Sequence, residues 1–389
     1  MFYDNLQPPA RNMTPMFPSQ IQRLFLFFVP VLLIFASLTE AQESKRIPMI
    51  YSTDLYQPPQ DPDDHYDLAM LAALKELEIK ALIFDVATPH RKPEEFGKTA
   101  MDQLAKITGH SPPWKTGLRE PLRSPDYKAL DQPKESQGGV ELILSTLEQS
   151  EEPVVMFLVG SCRDFTAAFN RDPDLLRKKV KAMYVNAGNG PGGKQTEWNV
   201  TLDPNAYVGL MTSGLPIYWC PCFTGVYQLP SPEEVSAGKA YSTFFVVPNQ
   251  AELLASVNPK LNNYFAYALS GSQEEPLGFL EKEVQPLPVT PRSMWCTGPF
   301  LHAAGRKICE TRTDRWNARS SGTENREVEV FHFEPISIQS EMKNEEGKLV
   351  PEFSNIAGEK PASIKVFRYT HPDFNKIMPS VLADLLETL

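Results

Sequence analysis

Five aspartates crowd into one short stretch: Asp54, Asp61, Asp63, Asp64 and Asp67 all fall within IYSTDLYQPPQDPDDHYDLAMLAAL, residues 50–74. Carboxylates this close repel one another, and holding them together is costly unless they share a cation. A hard divalent metal bound by oxygen ligands is the simplest way to offset that cost. An apolar run precedes the cluster and another follows it. They predict a strand ending at Thr53-Asp54 and a helix starting near Pro62-Asp63-Asp64. Acids in a first helical turn also suit the helix dipole, so capping and solvated charge are the plain alternative, and the stronger one for Asp63 alone. For the whole group, placed after a buried strand, direct metal ligation by Asp54 and Asp64 is the expectation.

Two more segments carry candidate chemistry. In Thr196-Glu197-Trp198-Asn199, the Glu and Asn alternate with bulky residues, so an extended segment would turn both to the same side. A carboxylate beside an amide suits the hydroxyls of a sugar; a solvated polar face is the alternative. Asp203-Pro204 predicts a helix N-cap followed by proline at the first helical position. The other segment is Pro299-Phe300-Leu301-His302-Ala303-Ala304, whose histidine matters only if the fold carries it to the acids.

Positioning such groups takes a scaffold. Strand-like runs at 48–51, 79–86, 153–159, 180–185 and 215–219 alternate with helix-like segments at 93–108, 138–148 and 204–213. This alternation indicates an α/β fold, an open and mostly parallel sheet with helices on both faces. Ligands of such sheets bind at the carboxyl ends of the strands. Asp54, Asp85, Gly160 and the glycine-rich loop at Gly188 all take positions of that kind. Farther on, residues 251–269 and 300–308 suggest helices, and a closing helix covers 374–389. Residues 328–338 and 362–369 read as strands that pair with one another, with a turn at 344–348 between edge strands.

The chain has 389 residues, room for a sizeable core, and a net charge of −10, which argues against a nucleic-acid partner. Arg23, the apolar run 24–36 and the small residue Ala41 form a signal-peptide pattern over residues 1–41, leaving 42–389 as the working domain. The run is shorter than the about 20 residues of a membrane span. Export, periplasmic or secreted, with no membrane association after cleavage, is therefore expected. An uncleaved anchor is the alternative. The five cysteines lie in the domain, and their odd number leaves at least one free or paired to another chain. Cys220-Pro221-Cys222 is too short for a zinc knuckle.

Taken together, the three segments resemble the inosine/uridine-preferring nucleoside hydrolase family. Ser52-Thr53-Asp54 and Asp63-Asp64 match the two halves of its Asp-Thr-Asp-Pro-Gly-x-Asp-Asp motif. Val159-Gly160-Ser161-Cys162-Arg163-Asp164 is similar to its Leu-Gly-Pro-Leu-Thr-Asn turn. Glu197-Trp198-Asn199 with Asp203-Pro204-Asn205-Ala206 follows its Glu-Phe-Asn and Asp-Pro-Glu-Ala. The resemblance implies a calcium ion held by Asp54, Asp64 and the backbone carbonyl of Arg163, with Asp54 as general base on a metal-bound water. It implies ribose contacts from Asp63, Glu197 and Asn199, with His302 near the ribose and leaving group. The expected activity is hydrolysis of the N-glycosidic bond of a ribonucleoside or related ribosyl compound. A nucleoside-sized small molecule is the expected partner, and a homo-oligomer is left open. Three departures stand out: Ser52 replaces an aspartate, residues 55–62 are longer than the family's linker, and Ala303 falls where the family's metal-ligating Asp follows its His. Asp61 is the candidate substitute for that ligand. The family's ribose-binding Asn after the second strand has no clear match, with Asp85, Thr88 and His90 nearby. A non-catalytic or altered ribosyl-binding protein is the rival expectation.

Overall fold

A computed structural model describes residues 45–55, 62–88, 92–312, 315–320, 326–356 and 363–389. The expected signal segment 1–41, Asp61 and His90 lie outside them. The scaffold is an eight-stranded sheet, built from strands β1 (Ile47–Thr53), β2 (Leu77–Phe84), β3 (Trp114–Thr116), β4 (Val154–Val159), β5 (Val180–Asn186), β6 (Ile217–Trp219), β7 (Phe331–Ile336) and β8 (Ile364–Tyr369). Its spatial order is β7-β8-β6-β5-β4-β1-β2-β3. All neighbours run parallel except β7 and β8, which pair antiparallel, as expected of those two segments.

Every residue of β4 is buried, because a central parallel strand is covered on both faces. Alternate side chains enter opposite cores. Tyr51, Phe157 and Tyr184 pack to one side, with helix α1 (Asp63–Ala73) and the C-terminal helix Phe374–Leu386. Ile50, Met156 and Met183 pack to the other, against Gly138–Gln149, Arg163–Arg171 and Pro204–Met211. From β1 the chain builds outward to β2 and β3, then returns and lays β4, β5 and β6 on the other side of β1. That reversal opens a crevice at the carboxyl ends of β1 and β4, where such folds bind ligands.

Two stretches depart from expectation. The 251–269 segment is split, because Pro259, capped by the Asn258 side chain, starts a new helix, Pro259–Ser270, after the short Gln250–Leu253. The helix expected at 300–308 runs instead over Thr297–Ala303. It stops before Gly305, whose φ of +72° breaks it, and Lys307–Glu310 becomes a strand paired with Trp316–Arg319. The turn expected at 344–348 joins two paired strands through Glu346 and Gly347, both at positive φ. All five cysteines are buried free thiols.

Candidate active site

Asp54 follows β1 at its carboxyl end, Asp63 and Asp64 open α1, and all three line one cleft. Two groups hold Asp64: the Thr53 hydroxyl and the Leu55 N–H both donate to its Oδ2, the latter at 2.8 Å. Leu55 has a φ of +29°, an unfavourable conformation for a branched side chain, so the backbone is strained right beside the acids. Asp54, Asp63 and Asp64 form the floor of a cleft of 490 Å³, together with Val159 and Gly160 from the end of β4. Gly160 has a φ of +109°, and a Cβ there would sit 2.9 Å from Asp85 Oδ2 and 3.3 Å from Asp54 Cβ. The expected result of Gly160→Ala is a loss of about 1–3 kcal/mol in chemical denaturation, since both the strained φ and the contact must be relieved.

One wall of the cleft is polar. Glu197 caps the short helix Trp198–Leu202, accepting hydrogen bonds of 2.9 Å from the N–H groups of Asn199 and Gly188. Burial pushes its carboxyl above the usual range, while those two N–H groups pull it back. The Asn199 amide donates to the Asn186 carbonyl at 3.0 Å. The extended segment expected here is therefore a cap and a first helical turn. Glu197 and Asn199 still meet at the cleft, because a cap side chain folds back over the turn that follows it. Asp203 caps the next helix through the Ala206 N–H, with Pro204 following, as expected.

Aromatic side chains, Phe223, Tyr227 and Trp295 with Trp198, complete the lining, and Phe244 packs behind them. The Phe223 ring lies 4.7 Å from Tyr227 and 5.3 Å from Phe244, and Phe244 stacks on Trp295 at 5.4 Å. A 2.7 Å hydrogen bond between the Tyr227 and Ser293 hydroxyls ties two segments of this wall together. Trp198 stands at the mouth, 56 % exposed.

Other expected site residues do not line the cleft. His302 sits in an aromatic nest, with Nδ1 2.7 Å from the Tyr184 hydroxyl and its ring 5.2 Å from Tyr218 and 4.6 Å from Phe333. Burial, with Lys307 and Lys365 adding to it, pushes its pKa down to about 4. It lies outside the cleft lining. Arg163 is the first residue of its helix and also lies outside the lining; the backbone that reaches the cleft there is Val159-Gly160. Its side chain is 1 % exposed and bonded to Asp203 and loop carbonyls. Ala303 belongs to the apolar core. Asp85 is wholly buried and takes the Ser161 N–H and hydroxyl at 2.9 and 2.5 Å, which ties β2 to the β4 turn.

Calcium takes hard oxygen donors, so the carboxylates of Asp54 and Asp64 fit it in kind. Among the described residues, however, no three acid, histidine or thiol groups stand close enough to hold a metal. Sequence reasoning also missed Asn186, Asn189, Cys222 and the aromatic wall. Asn186 had a usable signal, since it closes β5 just as Asp54 follows β1. Trp295 had none, because the segment before it shows no periodic pattern.

No family model matches the chain. It is 26% identical over 173 residues to a pyrimidine-specific ribonucleoside hydrolase RihA from Enterobacter sp. (strain 638), and 25% identical over the same length to the enzyme of that name from Escherichia coli O1:K1 / APEC. Each match covers 40% of this chain and 55% of the relative, so the chain spans about half the length of the curated relatives it matches. Among solved structures, a plant nucleoside hydrolase, PpNRh1, shares the fold with a TM-score of 0.50 at 15% identity, covering 88% of this chain and 99% of its own. The mostly parallel sheet with helices on both faces and the likeness to that plant enzyme give the chain a nucleoside-hydrolase-like α/β fold, and its sequence is similar to ribonucleoside hydrolases over 40% of its length.

Proposed function

We propose that this protein hydrolyses the N-glycosidic bond of a ribonucleoside or a related ribosyl compound. The observation that carries the proposal is the meeting of three acids, a carboxylate–amide wall and an aromatic wall in one cleft. The polar half suits the hydroxyls of a ribosyl group, and the aromatic half suits a planar base. Similarity to ribonucleoside hydrolases over 40% of the chain supports the same reading.

In this reading Asp54 takes a proton from a water that attacks the anomeric carbon. The new C–O bond forms as the C–N bond breaks, and the departing nitrogen takes up a proton from solvent, to which Asp54 returns the one it removed. Positive charge builds on the ring oxygen and the anomeric carbon, and the carboxylates of Asp63 and Glu197 stabilise it. Glu197 and Asn199 hold the ribose hydroxyls. Asp54 and Asp64 would hold calcium, with Asp61, outside the described residues, as a further candidate. Bound there, calcium would lower the pKa of the attacking water. Export by way of residues 1–41 belongs to the same proposal.

The competing reading is a ribosyl-binding protein without turnover. The lack, among the described residues, of a third group able to hold a metal favours it. A ribose-release assay over a nucleoside panel, with calcium and with chelator, separates the two. Ribose released with calcium and lost with chelator is the expected result; ligand binding with no release from any nucleoside would sink the hydrolase. Within the same assay, Glu197→Gln should lower kcat about 10²-fold by removing a charge that faces the developing cation. Asn199→Ala should mainly raise KM, by about three- to tenfold, the worth of one ribose hydrogen bond. A Glu197→Gln variant that turns over normally would take that residue out of the mechanism.

A further inference from the structure

The cleft combines charge of one sign with aromatic surface. Asp54, Asp63, Asp64 and Glu197 line it, and its described lining contains no lysine, arginine or histidine. Calcium held by Asp54 and Asp64 would offset their charges and leave those of Asp63 and Glu197 in the lining. Both Glu197 oxygens accept backbone N–H groups at 2.9 Å, so neither is placed to give up a proton. Phe223, Tyr227 and Trp295 supply ring surface in the same cleft, the Phe223 ring lying 4.7 Å from Tyr227 and 6.0 Å from Trp295. Aromatic faces attract cations as well as other planar rings. A cleft lined by one sign of charge also concentrates ligands of the opposite sign.

Chemistry at the glycosidic nitrogen points the same way. A neutral base must gain a proton as it departs, and His302, the expected neighbour of the leaving group, has its Nδ1 2.7 Å from the Tyr184 hydroxyl, outside the cleft lining. A base joined through a quaternary ring nitrogen needs no proton donor. When its C–N bond breaks, the bonding pair returns to that nitrogen, cancels its positive charge and frees a neutral heterocycle. Water supplies the new C–O bond and gives its proton to Asp54, which passes it to solvent. A ribosyl cation and water thus become ribose, a neutral base and a proton. We propose that the cleft selects ribosyl compounds whose aromatic base carries a fixed positive charge at the glycosidic nitrogen, the N-ribosylpyridinium class, over neutral nucleosides. This names the substrate class of the ribosyl site proposed above and rests on that reading.

Two uncleavable probes of one shape test the selection without turnover. Both are carbocyclic ribosides, with a methylene in place of the ring oxygen; one bears pyridinium and the other phenyl. Binding to the full chain is read by calorimetry, with calcium and with chelator. The pyridinium probe should bind about tenfold more tightly under both conditions, inside the roughly 3- to 30-fold range of a cation over aromatic faces. Asp63→Asn should lower that ratio about threefold, by removing a carboxylate that calcium leaves uncancelled. Equal binding of the two probes, or a ratio unmoved in Asp63→Asn, would overturn the proposal. Should Asp63→Asn fail to fold in a thermal scan, added salt must shrink the native ratio instead, and a ratio indifferent to salt counts against the proposal. Ribose release separates this inference from the hydrolase reading. Pyridinium riboside should be cleaved with a larger kcat/KM than uridine. If uridine is cleaved while the two probes bind equally, the hydrolase stands and the selection falls. If the pyridinium probe binds more tightly and neither riboside is cleaved, the selection stands and the hydrolase falls.

Discussion

Replacing Asp54 with Asn should lower kcat by about 10²–10⁴-fold, the usual contribution of a positioned general base, while unfolding in urea stays as it was. The reasons for the two halves differ. Asp54 is the acid at the end of β1 that is only partly buried and lines the cleft, next to the Gly160 turn. The amide keeps its size and shape but cannot accept the water's proton. Asp64 makes the contrasting case. It is 4 % exposed and accepts from both Thr53 and the Leu55 N–H, so Asp64→Asn puts an amide where two donors already point. That variant should lose stability as well as turnover, by about 1–3 kcal/mol. Comparing ribose release with urea midpoints for the two variants therefore separates a chemical role from a structural one. Unchanged turnover in Asp54→Asn would remove the base assignment, whatever the behaviour of Asp64→Asn.

What the sequence made legible follows from which signals are local. The alternation of apolar runs with helical segments is local, and it located the five strands from β1 to β6 that frame the crevice, apart from the three-residue β3. Asp54, Asp63 and Asp64 were legible because a strand end and a helix start bracket them within a dozen residues. Glu197 and Asn199 reached the cleft as expected, though through a cap rather than a strand, since alternation with bulky residues does not distinguish the two. His302 lies in the aromatic nest and outside the cleft lining, because a two-residue motif does not say which face of its helix turns to the cleft. The aromatic wall could not be read at all, since Phe223, Tyr227, Phe244 and Trp295 come together only through long-range packing.

Arg163→Met should be the most destabilising single change near the site, costing about 3–5 kcal/mol, because it strands a buried carboxylate. The guanidinium is 1 % exposed and spreads its donors over several segments. Its Nε donates to Asp203 Oδ2 at 3.1 Å. One terminal nitrogen donates to the carbonyls of Val86 and Leu118 at 3.0 and 2.9 Å, and the other to the Leu202 carbonyl at 3.2 Å. Asp203 in turn accepts the Leu122 N–H at 2.7 Å and caps the helix starting at Pro204. Burial alone drives the Asp203 carboxyl upward, and Arg163 is the first group that opposes it. Methionine fills most of the volume and satisfies none of these acceptors. The loops after β2 and β3 and the segment leading to the Asp203 cap would lose their common tie at the end of the sheet that carries the cleft. Urea denaturation should show a lower midpoint with an unchanged slope, the mark of lost stability rather than an altered unfolded state. Arg163→Lys should fall between the two, since one ammonium cannot replace a planar fork of donors. Adding Asp203→Asn to Arg163→Met should recover part of the loss, because the stranded charge is then gone. Strictly additive losses in that double variant would mean that the two side chains stabilise the fold independently, and that the arginine serves the loop carbonyls instead of the carboxylate.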